Sequence, residues 1–152
     1  MKKLFALILT VCLLASMSVT AFAANTTGGD ADITTSIAPT YTVTIPADVN
    51  VAFNATETAF GTIEVTASQI HPDKCIKVAL ATDKELNNAI DNTKVIPYAV
   101  KDSEGEAFTS ATYLTEGDKT ELSIHITADD WNAAYAGDYS DTVTFTVSYE
   151  DK

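Results

Sequence analysis

Thr142-Val-Thr-Phe-Thr-Val-Ser-Tyr149 decides the fold class of this chain. Val143, Phe145, Val147 and Tyr149 alternate with Thr142, Thr144, Thr146 and Ser148, so one face of the run is apolar and the other hydroxylated. Successive side chains of an extended strand point to opposite faces, and a period of two marks a strand with one face in a core and one in water. The same period recurs upstream. Leu122, Ile124 and Ile126 alternate with Ser123, His125 and Thr127, and Ile96, Tyr98 and Val100 form another set. Ile76, Val78 and Leu80 follow from Lys74, Ile63 and Val65 flank Glu64, and Val49, Val51 and Phe53 make a further set. Tyr41, Val43 and Ile45 run up to Pro46, and Ala31, Ile33, Thr35 and Ile37 run up to Pro39.

Turn chemistry punctuates the strands at Ser103-Glu-Gly-Glu106 and Glu116-Gly-Asp118. Two stretches leave the pattern. Residues 83–91 carry Leu86 and Ile90 four apart and read as a loop or a single helical turn. Residues 129–137 begin with two aspartates, space Trp131 and Tyr135 four apart, and stop at Gly137, which predicts a short helix. Seven to nine short strands with one short helix before the last predict an all-β, two-sheet antiparallel sandwich of immunoglobulin-like, Greek-key type, with a closed barrel as the alternative. The predicted core is Val43/Ile45, Ile76/Val78/Leu80, Leu122/Ile124/Ile126 and Val143/Phe145/Val147.

Residues 1–23 read as a signal peptide. Lys2 and Lys3 precede an apolar run from Leu4 to Val19, and Ala21-Phe-Ala23 offers small residues where a signal peptidase cuts, before Ala24. The run is short for a membrane span and ends in a cleavage site, so no membrane insertion is expected after processing. A flexible leader, residues 24–30, then joins a single domain at 31–152. Cleavage removes Lys2 and Lys3, leaving seven lysines against 21 carboxylates, a formal charge of −14. There is no arginine. Nucleic acid and anionic membranes need clustered positive charge and are excluded as partners. Of the two cysteines only Cys75 outlasts cleavage, so no internal disulfide is expected and the apolar core carries stability. Cys75 itself reads as a small, half-buried strand residue.

Residues 136–149, Ala-Gly-Asp-Tyr-Ser-Asp followed by the alternating run, resemble the closing strand of spore-coat-U-type and fimbrial-subunit-like domains. Tyr41-Thr-Val-Thr-Ile-Pro46 is similar to the first core strand of small secreted bacterial β-sandwich proteins of surface-adhesin type. The resemblance covers about a fifth of the chain, and it departs from coat-U-type domains in having too few cysteines for their disulfides. It implies an immunoglobulin-like fold at the cell surface, used for assembly or adhesion.

Chemistry finds little purchase in the sequence. No nucleophile elbow, phosphate-cradling glycine loop or Cys-x-x-Cys is present, and His71 and His125 stand alone. No catalytic residue, metal or cofactor is assigned. Asp129, Asp130, Asp138 and Asp141 are an oxygen-only set of the kind Ca²⁺ takes, but without a metal-loop spacing they read as helix-capping and turn aspartates. The expected function is therefore a secreted, non-enzymatic surface or structural subunit, adhesin- or pilin-like, whose partners are itself or other surface proteins. Its candidate assembly strand is Ala31, Ile33, Thr35 and Ile37, hinged at Gly28-Gly29. The alternative is an extracellular carbohydrate-binding module whose ligand-facing aromatics are Trp131, Tyr135 and Tyr139. Tyr139 also has a structural reading, since a tyrosine opening a late strand can lock a crossover by a backbone hydrogen bond.

Overall fold

A computed structural model describes Ile8–Val11 and residues 30–152. Apart from Ile8–Val11 and Asp30, the expected signal peptide and leader lie outside the described residues. Among the described residues eleven strands and one helix follow in chain order: β1 (Ile8–Val11), β2 (Thr40–Thr44), β3 (Glu57–Gln69), β4 (Lys74–Ala81), β5 (Glu85–Asn88), β6 (Val95–Pro97), β7 (Ala99–Asp102), β8 (Ser110–Tyr113), β9 (Lys119–His125), α1 (Ala128–Ala133), β10 (Tyr139–Ser140) and β11 (Thr144–Asp151). They form three antiparallel sheets, where two were expected: β1-β2-β3-β9-β7, β11-β4-β8 and the small β10-β5-β6. No helix among the described residues is long and apolar enough to cross a membrane.

One apolar core receives side chains from all three sheets. Val43, Ile63, Val65, Val100, Leu122 and Ile124 enter from the first, Ile76, Val78 and Tyr113 from the second, and Ile96 from the third. Of the predicted core positions, Val43, Ile76, Val78, Leu122, Ile124 and Ile126 are buried, as is Cys75, whereas Ile45 and Leu80 are only partly buried. Cys75 is buried, with its thiol 3.7 Å from the carbonyl oxygens of Glu150 and Asp151. Val143, Phe145 and Val147 are only partly buried, because β11 is an edge strand, paired with β4 alone.

The parity of β3 changes within the strand. Register slips against β9 between Ala59 and Gly61, and the bulge re-aims the chain so that Phe60 and then Ile63 and Val65 all turn inward. Gly61 permits this with a φ of +138°, and a β-carbon there would lie 3.1 Å from Cβ of Pro46.

Several expectations are corrected. Val49, Val51 and Phe53 belong to no strand, and Phe53 is 77% exposed. Pro46 has no N–H to give a ladder, and Asn54 turns the chain at φ 64°. Residues 83–91 are neither loop nor helical turn over their centre. They hold β5, where Leu86 pairs with Ile96 and faces inward while Ile90 is exposed. The expected strand Ile96-Tyr98-Val100 is divided between β6 and β7 in different sheets, the chain crossing at Tyr98 beside Pro97, although all three side chains are buried as predicted. The helix is shorter than residues 129–137. Thr127, rather than an aspartate, caps α1 by accepting the Asp130 N–H at 3.1 Å, and Tyr135 and Gly137 fall beyond its end.

The β8–β9 turn behaves as read. Gly117 takes φ +89°, and the carboxylate of Asp118 accepts the backbone N–H groups of Leu114 (2.7 Å) and Thr115 (2.9 Å), which hold its pKa below the ordinary 3.8. A carboxylate with a depressed folded pKa contributes stability above its unfolded value and loses it as pH falls through the folded one. Asp118→Asn is expected to cost about 1 kcal/mol at pH 7, the figure being reduced because the group is largely solvated, and much less at pH 3. Urea unfolding at the two pH values checks this, and an equal cost at both refutes the charge-based account.

Candidate functional site

The end of the fold that carries α1 holds a cleft of about 740 Å³ between residues 45–53 on one side and residues 137–145 on the other. It exists because the chain after Pro46 pairs with nothing, leaving the start of β11 without a neighbour on its outer side. Phe60 and Phe145, with ring centroids 5.9 Å apart, line it together with Val51, Leu86 and Val143. Buried Ile96 and Ile124 also border it.

Trp131 forms part of the wall. Thr127 sets the start of α1, and the indole Nε1 donates to the Ala55 carbonyl at 2.9 Å, while Phe53 meets the ring edge-on at 5.6 Å. The Tyr139 hydroxyl donates to the Tyr135 carbonyl at 3.0 Å, tying the entry to the last strand back onto the chain four residues before it. Tyr135 is the most open of the three predicted aromatics, 62% exposed, with the Lys94 ammonium 4.9 Å from its centroid. Trp131 and Tyr139 both line the cleft and Tyr135 does not, so the three rings make no common flat platform.

At the inner end of the cleft lies a contact that sequence reasoning missed. The Tyr98 hydroxyl donates to Asp141, and Thr82 Oγ1, 2.7 Å from that hydroxyl, donates to the same carboxylate oxygen at 2.8 Å. The other oxygen accepts the Thr142 N–H at 2.6 Å. Burial raises the Tyr98 pKa, with Asp141 adding to the effect. For Asp141 burial acts to raise the pKa, but the bonds from Tyr98, Thr82 and Thr142 together bring it below 3.8. The Ala-Gly-Asp-Tyr-Ser-Asp stretch carried the only signal, and it named neither partner.

The four candidate aspartates are not brought together as a metal centre. Asp141 is held as described, Asp130 accepts from the Thr127 hydroxyl, and no group of three His, Cys, Asp or Glu side chains suited to a metal occurs among the described residues. His125 bonds Ser123 Oγ at 3.0 Å on the polar face of β9. It shares a shallow depression with Asp130 and Lys101, yet its ring is not hydrogen-bonded to either.

A second feature lies at the other end of the first sheet. Residues 31–37 belong to no strand, and every one is exposed, Ile33 at 99% and Ile37 at 63%. The outer edge of β2 carries β1, antiparallel, with Ile8 opposite Thr44 and Val11 opposite Tyr41. This edge therefore accepts a short antiparallel strand.

A scan against protein-family models and a search of curated proteins both find no match to this chain.

Proposed function

We propose that this protein is a secreted, non-enzymatic structural subunit of an extracellular surface, an immunoglobulin-like Greek-key sandwich that assembles by donating residues 31–37 to the β2 edge of a second copy. The observation that carries this reading is the pairing of a vacant donor with a receptive edge. Ile33 and Ile37 lie in water on an alternating segment, and a fully exposed isoleucine forgoes about 1.5–3 kcal/mol of burial. Cleavage before Ala24 would remove Ile8–Val11 and leave the β2 edge unpaired, a row of open N–H and C=O groups ready for strand addition.

Self-pairing through a tight hairpin is disfavoured. Ala38 and Pro39 would have to form the two-residue loop, and the turns suited to such hairpins need a positive φ at Ala38. A residue before proline is held in the extended region at negative φ, which blocks both. Donation in trans has no such barrier. The likeness of the closing strand to fimbrial-subunit-like domains agrees with this reading, and a glycan-binding role would rest on the exposed ring of Tyr135 alone.

Light scattering tests the proposal on protein recovered from expression of the full chain, beside a chain deleted up to Thr40. Since residues 31–37 pair with no strand, the deletion spares every strand from β2 onward. Concentration-dependent oligomers that disappear on deletion, and likewise in an Ile33→Asp, Ile37→Asp variant, are expected. Equal masses for all three, or an unfolded deletion variant, would overturn strand donation.

A further inference from the structure

We propose that the cleft beside α1 binds a small amphipathic amine, an apolar body carrying an ammonium group; this inference is independent of how the subunit assembles. Its volume, about 740 Å³, lies within the range of roughly 300–1,000 Å³ occupied by small-molecule sites. Its lining gathers Val51, Phe60, Leu86, Val143 and Phe145 beside the polar side chains of Asn50, Ser140, Thr142 and three aspartates. The inward positions of β4, Ile76 and Val78, are 0% exposed, whereas Val143, just before β11, and Phe145 on that edge strand are half-buried and line the cleft. Phe53 and Val49 stand exposed at the mouth, and apolar surface gathered at a concavity marks a binding site more often than apolar surface scattered singly.

The charge of the ligand follows from the lining. Apart from tyrosines, every ionisable side chain there is an aspartate: Asp48, Asp138 and Asp141. No lysine or histidine lines it, and neither Asp48 nor Asp138 takes part in the three ion pairs among the described residues. Low-dielectric walls concentrate the field of such carboxylates in the opening. Trp131, Phe53 and Tyr139 add aromatic rings, whose faces attract cations and above all desolvated ammonium groups. An anionic amphiphile meets repulsion at the mouth. An apolar cation matches both the apolar side chains and the carboxylates of the lining.

Trp131 is the sole tryptophan and lines the cleft, so its emission reports occupancy directly. The experiment titrates protein recovered from full-chain expression with dodecyltrimethylammonium, and in parallel with dodecyl sulfate, both below their micelle concentrations. A saturable emission change is expected with the cation, about fivefold tighter than with the anion of equal chain length. Val143→Phe, which narrows the cleft, should weaken the response while circular dichroism stays native. Asp138→Asn, at an exposed position, should narrow the preference for the cation without abolishing binding. Equal or tighter binding of dodecyl sulfate overturns the proposal, as does the absence of any saturable response, or a Val143→Phe protein that folds and binds unchanged. A peptide of residues 30–38 serves as the third arm. If it shifts Trp131 emission saturably, the cleft is a strand acceptor instead and the amine reading fails, while a silent peptide leaves the assembly proposal to its own test at the β2 edge.

Discussion

Gly137→Ala is expected to destabilise the protein by roughly 3 kcal/mol, a large fraction of the stability of an ordinary domain. Gly137 has a φ of +150°, a region that side-chain-bearing residues rarely enter and in which strain of about 1–3 kcal/mol is usual. A β-carbon there would also lie 2.5 Å from Nδ2 of Asn88, well inside contact distance. The end of a long side chain could swing away, but Asn88 is buried at 6% exposure and its Oδ1 accepts the backbone N–H groups of Ile90 (2.9 Å) and Asp91 (3.2 Å). Moving it breaks those bonds at about 1 kcal/mol each and strands a buried amide. Urea unfolding of Gly137→Ala, Asn88→Ala and the double variant separates the two causes. The double variant should be more stable than additivity requires, because the clash is gone and only the backbone strain remains. Strict additivity would show that the contact with Asn88 is not part of the cost.

Tyr98→Phe should cost about 2 kcal/mol at pH 7 and flatten the pH profile at both ends. The hydroxyl is a donor to a carboxylate, an interaction of about 1.5–3 kcal/mol, taken towards the lower end because Asp141 keeps partial contact with solvent. Asp141 titrates below 3.8 in the folded protein, so its contribution is present above that value and is lost as pH falls through the folded pKa. Removing the Tyr98 donor lets the folded pKa rise towards the unfolded one and shrinks the acid loss. At the alkaline end the sign is reversed. Burial, then Asp141, raises the Tyr98 pKa above 10.0, so the folded state holds the phenolic proton more tightly and stability falls as pH climbs past 10. Phenylalanine has no proton to lose, and its contribution to that decline vanishes. Denaturant midpoints between pH 2 and pH 11 for both proteins check the prediction, and parallel curves displaced by a constant would sink it.

These two sites show where local reading stops. The alternation of Leu122, Ile124 and Ile126 is a property of neighbouring residues in an extended backbone, and their burial follows from it. The same pattern in Val49, Val51 and Phe53 was no guide to burial, because a strand needs a partner ladder and the chain after Pro46 finds none. Residues 83–91 misled in the opposite direction. Leu86 and Ile90 have helical spacing, yet β6 and β10 recruit Glu85–Asn88 as a strand and send Leu86 inward and Ile90 out. Of the candidate site residues, Trp131 and Tyr139 could be placed near one another by their closeness in sequence, and they share the cleft. Phe53, Phe60 and Leu86, which complete it, are scattered over separate strands and loops, and no spacing connects them.

By itself the sequence determined that this chain is built of strands, which side of most of them is apolar, and where its sharpest turns fall. Those are consequences of one residue's geometry acting on the next: the period of two, the N–H that proline lacks, the positive φ that glycine allows. Only the tertiary structure decided that the strands divide into three sheets, that a cleft opens beside the last strand, and that Tyr98 reaches Asp141 across 43 residues. Sheet membership and cavities depend on which distant edges satisfy each other's hydrogen bonds and leave the fewest apolar atoms in water. That choice is made by the whole chain at once, so no short stretch of it carries the answer.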